Sequence, residues 1–379
     1  MIATTRPESS VREAMLYVAF ELSKKTWKLA MSSGFGAEPW LRTVPARDLG
    51  AVGRAVAEGR QRFGLPPTAP VISCYEAGRD GFWIHRAVTQ LGLANRVVDS
   101  ASIEVNRRAR RAKTDRLDAL KLLRMLVRVC HGEHGVWSEV RVPTPTQEAT
   151  RHVSRERTAL VADQTRLMNQ LQGLVATYGC VWPTRRGRRW WADLRAWDGA
   201  VLPATVQARL ARADARLTQV QGQISELEAE QQASVKAAVA SDDARVRLIT
   251  LQGIGVTGAS VLVEEGLVWR DFKNRREIGG LLGFAPTPYN SGEAERDQGI
   301  SGAGNRRLQA VSIQLAWNWV RWQPGSALTR WYRARFGTGK RVRRIGIVAL
   351  ARKLLIALWR YATQGVLPTG AVLSATPAR

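Results

Sequence analysis

Hydrophobic and polar positions over the first 130 residues follow the spacing of short strands and amphipathic helices. The apolar run 14–20, which ends at Glu21, and the alternating segment 26–31 predict two strands of a hairpin. The other predicted elements are, in chain order, a strand near 40–45, a helix over 47–63, a strand over 71–75 that ends at Glu76, a helix over about 80–92, a strand over 96–99 and a helix over about 115–129. This order predicts an α/β domain over residues 12–135.

The middle of the chain, 140–240, has the period of coiled-coil helices. Apolar residues recur every seven positions at Val153, Leu160, Leu167 and Leu174, and then in steps of three and four at Val206, Leu210, Ala213, Leu217, Val220, Ile224 and Leu227. A helical hairpin within the chain and a coiled coil that joins subunits fit this pattern equally well. The insert 181–198 is rich in Trp and Arg, and it predicts either stacking on nucleic acid or packing against the helices.

Beyond the coiled-coil region, glycine and mixed charges predict a mostly helical domain over 245–365 and a tail over 366–379. Segment 248–266 has an apolar helix end, two glycines and a second helix, which is the pattern of a helix-hairpin-helix element. Gly253 and Gly255 would let backbone amides approach a phosphate at the N-terminus of the second helix. An ordinary turn between two helices has the same pattern.

Charge indicates a polyanionic partner. The chain has 57 Lys and Arg against 32 Asp and Glu, a net charge of +25, and 45% of its residues are hydrophobic. A folded and strongly basic protein favours nucleic acid as its partner, and the hydrophobic content excludes a disordered basic tail. The sequence has no run of 18 apolar residues and no signal peptide, so we expect no membrane association and a cytoplasmic, nucleoid-associated location.

Cysteine and histidine give only weak metal signals. Cys74, Cys130 and Cys180 are isolated, and their odd number argues against a disulfide framework. His131 and His134 are close in sequence but lack a nearby Cys or further His, so a zinc site is not favoured there.

Four carboxylates form the strongest candidate metal site. Asp115 and Asp118 are three residues apart in a basic segment, so they lie on one face of the predicted helix. Glu21 and Glu76 each stand at the C-terminal end of a predicted strand, where α/β sheets gather ligand-binding groups. Together the four suit two Mg²⁺ ions aligned on a scissile phosphate. Taken singly, each also fits a solvated carboxylate or a helix cap.

A glycine- and serine-rich loop holds the candidate nucleophile, Ser291. The candidates for holding phosphates beside it are Arg296, Arg306 and Arg307. A serine with such neighbours can attack a phosphodiester once a metal, an arginine or a base activates it. Asn-Ser-Gly is also an ordinary turn sequence, and Ser301, in a second glycine-rich stretch, is a rival nucleophile.

Together these signals resemble the DEDD transposases of the insertion sequence 110 family, from about residue 14 to about residue 335. The likeness rests on the order of the four carboxylates, the central helices and four segments, which are KTDRLDA at 113–119, LQGIGVTGASVLVEEG at 251–266, GLLGFAPTPYNSGE at 280–293 and RDQGISGAGNRRLQ at 296–309. The resemblance implies a RuvC-like, ribonuclease H-like N-terminal domain. Its acidic positions fall on Glu21, Glu76, Asp115 and Asp118, and the serine nucleophile of the C-terminal domain falls on Ser291.

The resemblance also implies a function and partners. Such proteins are Mg²⁺-dependent, RNA-guided DNA recombinases whose bridge RNA pairs with donor and target DNA, and they act as oligomers, here expected as a dimer or tetramer through the coiled coil. The first acidic position is usually Asp in this family, and Glu21 departs from that pattern. Two alternatives stay open: a RuvC-like junction nuclease that uses water, and a non-catalytic nucleic-acid-binding protein.

Overall fold

The computed structural model of this protein describes residues 14–103, 114–270, 272–291, 294–302, 304–337 and 339–374. The chain divides into two compact units, Met1–Pro143 and Thr144–Arg379. The second unit includes both the predicted coiled-coil region and the predicted C-terminal region. Most of the basic segment that precedes Asp115 lies outside the described residues.

The first unit is built on a five-stranded mixed sheet with the order β3-β2-β1-β4-β5. Its elements are β1 Leu16–Leu22, β2 Thr26–Ser32, β3 Trp40–Pro45, α1 Leu49–Arg62, β4 Val71–Glu76, α2 Trp83–Gln90, β5 Ala94–Val98 and α3 Asp115–Cys130. β1, β2 and β3 are antiparallel neighbours, whereas β1, β4 and β5 pair in parallel. The predicted order of elements and the α/β class are confirmed. The RuvC-like assignment stays a prediction.

Helices cover both faces of this sheet because β1 is apolar on both sides. Leu16, Val18 and Phe20 share one buried cluster with residues of α1 and α2. Tyr17 and Ala19 lie on the opposite face, in a cluster with residues of α3. A strand buried on both faces has a continuous apolar run rather than an alternating one. β1 ends at Leu22, so Glu21 lies one residue before the C-terminal end of the strand, as predicted.

The second unit is almost entirely helical. Its helices are α4 Pro145–Thr177, α5 Ala204–Ala237, α6 Ala244–Ile249, α7 Val256–Leu262, α8 Arg275–Leu282, α9 Arg306–Trp322, α10 Ala327–Phe336 and α11 Lys340–Gln364. A hairpin of β6 Pro286–Ser291 and β7 Ala294–Ile300 separates α8 from α9. A π-helical turn, Val263–Leu267, follows α7 directly.

The helices α4 and α5 pair within the chain as an antiparallel hairpin. Arg157, near the start of α4, donates to Glu228, near the end of α5, at 2.9 Å. The buried positions of α5 follow the predicted seam at Val206, Leu210, Ala213, Leu217 and Ile224. The seam predicted for α4 is partly wrong. Leu167 is buried as expected, but the buried stripe continues in steps of four at Leu171 and Val175. Joining of subunits through these helices stays a prediction.

The described part of the predicted tail, residues 366–374, is hydrogen-bonded to the helical unit. The backbone N–H of Gln252 donates to the carbonyl of Val372 at 3.1 Å. The Gln323 side chain donates to that carbonyl and accepts from the N–H of Val372. These bonds fasten the chain, through residue 374, to the helical unit.

Over the described residues, the structure has no helix that is both long and apolar enough to cross a membrane.

Candidate functional site

Two of the four candidate carboxylates are neighbours on the central strands of the first unit. Phe20 of β1 lies beside Tyr75 of β4 in the parallel register. Glu21 and Glu76 are therefore the next pair along the two strands, and their side chains leave the same face of the sheet. That face also carries Ala19 and is covered by α3. On the other side of β1, the register partner of Glu21 is Lys28.

The helix α3 runs antiparallel to these strands and brings its first turn to the same edge of the sheet. The Tyr17 ring, at the start of β1, packs against His131, at the end of α3, with centroids 5.9 Å apart. Cys74 Sγ lies 4.0 Å from the carbonyl oxygen of Leu122. From Cys74 to Glu76 the strand advances ~6.6 Å, and from Leu122 back to Asp118 the helix advances ~6 Å. Asp118 is therefore level with Glu76.

The four carboxylates share one face and one edge, but they are not drawn into a closed metal site. Glu21 and Asp118 are half-buried, whereas Glu76 and Asp115 are exposed. The N-cap of α3 is Thr114, whose hydroxyl accepts from the N–H of Leu117, so the cap reading of Asp115 is wrong. Within the described ranges, no three His, Cys, Asp or Glu side chains could hold one metal ion. Carboxylate oxygens are donors that Mg²⁺ accepts, so the donor chemistry fits while the side-chain positions do not by themselves form the site.

Two of the metal-ligand candidates in this unit, His131 and Cys74, pack against neighbouring residues. The Nδ1 atom of His131 lies 2.7 Å from the carbonyl oxygen of Val127, and its ring also packs against Phe35. Burial raises the pKa of the Cys74 thiol well above its usual range, which makes it a poor nucleophile.

In the second unit, the segment with the helix-hairpin-helix pattern forms two short helices, α6 and α7, joined by a glycine turn, which a helix-hairpin-helix element and an ordinary turn both predict. Gly253 has a φ of +91°, and a Cβ there would lie 3.0 Å from Cβ of Trp322, so conformation and packing both require glycine. Gly255 is the N-cap of α7, and a Cβ there would meet no atom within 4 Å. Phosphate binding at these two glycines stays a prediction.

Ser291 is the last residue of β6, so it lies at a strand end and not in an irregular loop as the sequence had suggested. It pairs with Ala294, the first residue of β7, in the last residue pair of the two strands. In the same register, Tyr289 lies opposite Arg296. The structure therefore places the candidate nucleophile in the last residue pair of a β-hairpin.

The base of this hairpin is fixed to the end of α8. The hydroxyl of Ser301 donates to the carbonyl of Gly283 at 3.2 Å, and its N–H donates to the carbonyl of Ala285. A Cβ at Gly304 would lie 2.4 Å from the carbonyl carbon of Leu282, so only glycine fits between the two backbones. Ser301 thus has a fastening role, which weakens it as a rival nucleophile.

Asn305 and Arg307 connect this segment to a buried carboxylate that the sequence reasoning missed. Asn305 caps α9 by accepting from the N–H groups of Arg307 and Leu308, and its amide donates to Glu265 at 3.0 Å. Glu265 is 1% exposed and accepts two further bonds from Arg155 of α4, at 3.0 and 3.1 Å.

Arg307 forms an ion pair with Glu265, with its Nε 3.1 Å from Oε1. The Nε makes no hydrogen bond within the described residues, so the contact is electrostatic. Burial lowers the pKa of the Arg307 guanidinium. Arg306, by contrast, is exposed on the first turn of α9. Of the two arginines, only Arg306 is presented to solvent as a phosphate ligand would need to be.

The neighbouring Glu264 and Glu265 have opposite proton affinities. Burial raises the pKa of Glu264 to about 7. Its Oε2 has no hydrogen-bond partner within the described residues, and Glu264 lines a cavity of about 170 Å³ together with Gln147, Arg245 and Trp269. Burial alone would also raise the pKa of Glu265, but hydrogen bonds from Arg155 and Asn305 outweigh it and hold that pKa below its usual range.

One sequence signal could have revealed this pair. Glu264 and Glu265 end the apolar helix segment Val261–Val263, and charged residues are rarely buried unless they are paired. They also occupy the π-helical turn, in which Gly266 has a φ of +143°, and such turns are common at functional sites. Their partners cannot be read from the sequence because Arg155 lies 110 positions away.

Comparisons with known proteins bear on both units. Residues 246–331, which include the glycine turn, the hairpin and all of α9, match the sequence model described as "Transposase IS116/IS110/IS902 family". The protein named "Putative transposase y4rJ" of Sinorhizobium fredii is 40% identical over 98% of this chain and 99% of its own length. The protein named "Transposase for insertion sequence element IS1328" of Yersinia enterocolitica is 27% identical over 59% of this chain and 65% of its own length.

Proposed function

We propose that this protein, which belongs to the IS116/IS110/IS902 family of transposases, is an RNA-guided DNA recombinase that moves an insertion sequence. In this proposal Ser291 is the nucleophile, the carboxylates of the first unit bind Mg²⁺, and a bridge RNA selects donor and target DNA by base pairing. The protein itself would contact phosphate backbones and RNA shape, in keeping with its net charge of +25.

The position of Ser291 carries this proposal. It stands in the last residue pair of the β6–β7 hairpin, inside the family-matched region, and the base of that hairpin is fixed by Ser301 and Gly304. A nucleophile at the far end of a hairpin whose base is fixed can meet a phosphate without displacement of that base.

The chemical step is a transesterification. The Ser291 oxygen forms a bond to phosphorus as the bond between phosphorus and a deoxyribose oxygen breaks, and the serine proton passes to a base or water while the leaving oxygen becomes a hydroxyl. Attack of a hydroxyl on the phosphoserine reverses the step and reseals the strand. Each phosphoester bond that breaks is replaced by another, so no external energy source is needed. Arg306 and Arg296 would neutralise the phosphate, whereas Arg307 is engaged by Glu265.

Glu21, Glu76, Asp115 and Asp118 are the residues that would hold Mg²⁺. The bound metal would polarise the phosphate and make it more electrophilic. Glu21 and Glu76 supply oxygen donors from adjacent strands, and Asp118 supplies one from the first turn of α3 at the same level. The glutamate at position 21 reaches one bond farther than the aspartate that is usual in the family.

Substitution of Ser291 tests the mechanism, with Ser301 as the matched control. We expect Ser291→Ala to abolish strand cleavage and covalent protein–DNA adducts, because no other group forms the phosphoserine bond. Ser301→Ala should retain adduct formation, since its hydroxyl only fastens the hairpin. Denaturing gels with end-labelled DNA, guide RNA and Mg²⁺ would measure both. Cleavage by Ser291→Ala without an adduct would favour the junction nuclease that uses water.

A second candidate is a family member that binds nucleic acid without cutting it. It is favoured by the absence, within the described residues, of three side chains placed to hold one metal. In that case neither Asp118→Ala nor removal of Mg²⁺ would change any activity, and only a salt-sensitive complex would form. Under the recombinase proposal, Asp118→Ala removes cleavage but leaves nucleic-acid binding.

A further inference from the structure

The insert between α4 and α5 divides its tryptophans between two roles. Trp190 is buried, and its indole N–H donates to Asp214 of α5 at 2.8 Å. Trp182 packs edge-on against Trp190 with centroids 5.2 Å apart, and Arg186 lies over Trp182 while it pairs with Asp214. These side chains fix the insert to the hairpin, so packing explains them fully.

Trp197 has no such explanation, because its side chain is 83% exposed on a backbone that is held in place. Its N–H donates to the carbonyl of Tyr178 at 3.0 Å. Gly179 has a φ of +66°, and a Cβ there would lie 2.7 Å from Cβ of Trp197. The turn that follows is closed by a bond from the N–H of Ala196 to the carbonyl of Ala200. The indole is therefore presented to solvent from a fixed position.

Exposed apolar and cationic side chains accompany this indole in the same insert. Val181 is 85% exposed and Val201, which forms a bridge with Arg195, is 61% exposed. We define the tip surface as Val181, Arg185, Arg188, Arg189, Trp197 and Val201; its three arginines are all exposed.

The combination of a fixed indole and several guanidinium groups favours nucleotides with unpaired bases as the ligand of the tip surface. An exposed aromatic face stacks on a nucleobase, and arginines neutralise the adjoining phosphates. Bases in a duplex already stack on each other, so only unpaired bases offer a free face. A second copy of this surface would bring like charges together, which opposes self-association.

We propose that the tip surface is a stacking platform for unpaired nucleotides of a nucleic-acid strand. This inference rests on the proposed function only for the class of partner and does not require the Ser291 chemistry. Because stacking uses the base and not the sugar, RNA and DNA strands both bind, and pairing of the strand removes the interaction.

The test compares Trp197→Ala and Trp197→Phe in the full-length protein. Binding of short unpaired RNA and DNA, and of the same sequences as duplexes, is measured by fluorescence anisotropy. Trp197→Ala should weaken binding of the unpaired strands by roughly 5- to 150-fold and leave the duplex unchanged, and Trp197→Phe should retain most of the affinity. Trp317→Ala, at a 40% exposed tryptophan on α9, is the matched control and should change neither.

A cross-linking measurement locates the contact independently. Photoactivation of an unpaired strand that carries 5-iodouracil should yield a cross-linked peptide from 181–201, and Trp197→Ala should remove it. Unchanged binding by Trp197→Ala together with cross-links only elsewhere overturns the proposal. If Trp197→Ala changes the oligomeric state of the protein but not its binding of unpaired strands, the proposal is overturned in favour of a contact between copies of the chain.

The failure of this inference and of the proposed chemistry can be told apart. If Ser291→Ala keeps strand binding and the 181–201 cross-link, the tip surface is supported even if the wild-type protein forms no covalent adduct. If adducts form normally while Trp197→Ala binds unpaired strands as the wild type does, the chemistry stands and the tip surface does not.

Discussion

At the scale of single residues, the adjacent Glu264 and Glu265 have different surroundings and different chemistry. Glu265 has three polar partners, which keep its carboxylate ionised. Glu264 lines a cavity, and burial raises its pKa to about 7. The pKa values of these adjacent residues differ because the Glu265 side chain contacts Arg155 and Asn305, whereas the Glu264 side chain lines the cavity. The pair links α4, α7 and α9 around the segment that follows the serine hairpin.

Substitution of Glu264 should change how stability depends on pH. The raised pKa means that the protonated form stabilises the fold fully below pH 4.5, the ordinary value, and that this contribution is lost as pH rises through about 7. Glu264→Gln cannot ionise, so relative to wild type its free energy of unfolding should increase by up to about 3 kcal/mol between pH 4.5 and pH 8. Urea unfolding at several pH values measures this difference.

Glu265→Gln is the matched control, and its pH dependence has the opposite sign. The depressed pKa of Glu265 gives stability that is present above its ordinary value of 4.5 and lost as pH falls through the lower folded value. Removing this charge deprives Arg155 and Arg307 of their carboxylate partner, at a cost of about 1–3 kcal/mol at neutral pH, because both guanidinium groups are partly exposed to solvent. Equal pH profiles for the two variants would contradict these opposite roles of the two carboxylates.

At the scale of elements, the β6–β7 hairpin depends on a close approach of two backbones. Gly304 packs against the backbone of Leu282 and Gly283 at the C-terminal end of α8. The next residue, Asn305, is the N-cap of α9. The sequence Gly-Ala-Gly-Asn-Arg-Arg therefore combines a backbone contact with a helix cap. The same segment ends with Arg307, which pairs with Glu265 and so couples the hairpin base to the π-helical turn.

Gly304→Ala should destabilise this arrangement. A Cβ at 304 would lie 2.4 Å and 2.5 Å from backbone atoms of Leu282 and Gly283, so the segment must shift, at a cost of about 1–3 kcal/mol. Gly280→Ala is the matched control, because a Cβ there meets nothing within 4 Å and alanine favours a helix by up to ~1 kcal/mol. Thermal unfolding measures both. Equal stability of the two variants would show that the close approach does not matter.

At the scale of the whole molecule, charge dominates. A net charge of +25 over 379 residues favours polyanions of any sequence, which is compatible with the proposed guidance by an RNA strand. Each unit contributes separately: the first presents carboxylates at one edge of its sheet, and the second presents the serine hairpin and the tip surface.

Binding of nucleic acid by the intact protein should therefore depend steeply on salt. If the protein neutralises about 6–10 phosphates, affinity for duplex DNA should fall by roughly 10³- to 10⁵-fold between 50 and 200 mM salt. Anisotropy titrations at several salt concentrations give the slope, and Ser291→Ala should have the same slope as wild type. A slope near zero would mean that the excess positive charge does not contact phosphates.

The sequence alone determined the order of elements, the α5 seam and the family, because these depend on local periodicity and on short motifs. It also placed Glu21 and Glu76 near strand ends, and Asp115 and Asp118 on one helix face. The tertiary structure decided which charged groups meet: Arg307 pairs with Glu265 instead of facing solvent, and Trp190 is buried while Trp197 is exposed. Such pairings join residues far apart in the chain, up to 110 positions for Arg155 and Glu265. Hydrophobic periodicity predicts whether a residue is buried, but only the tertiary structure determines which residues it contacts.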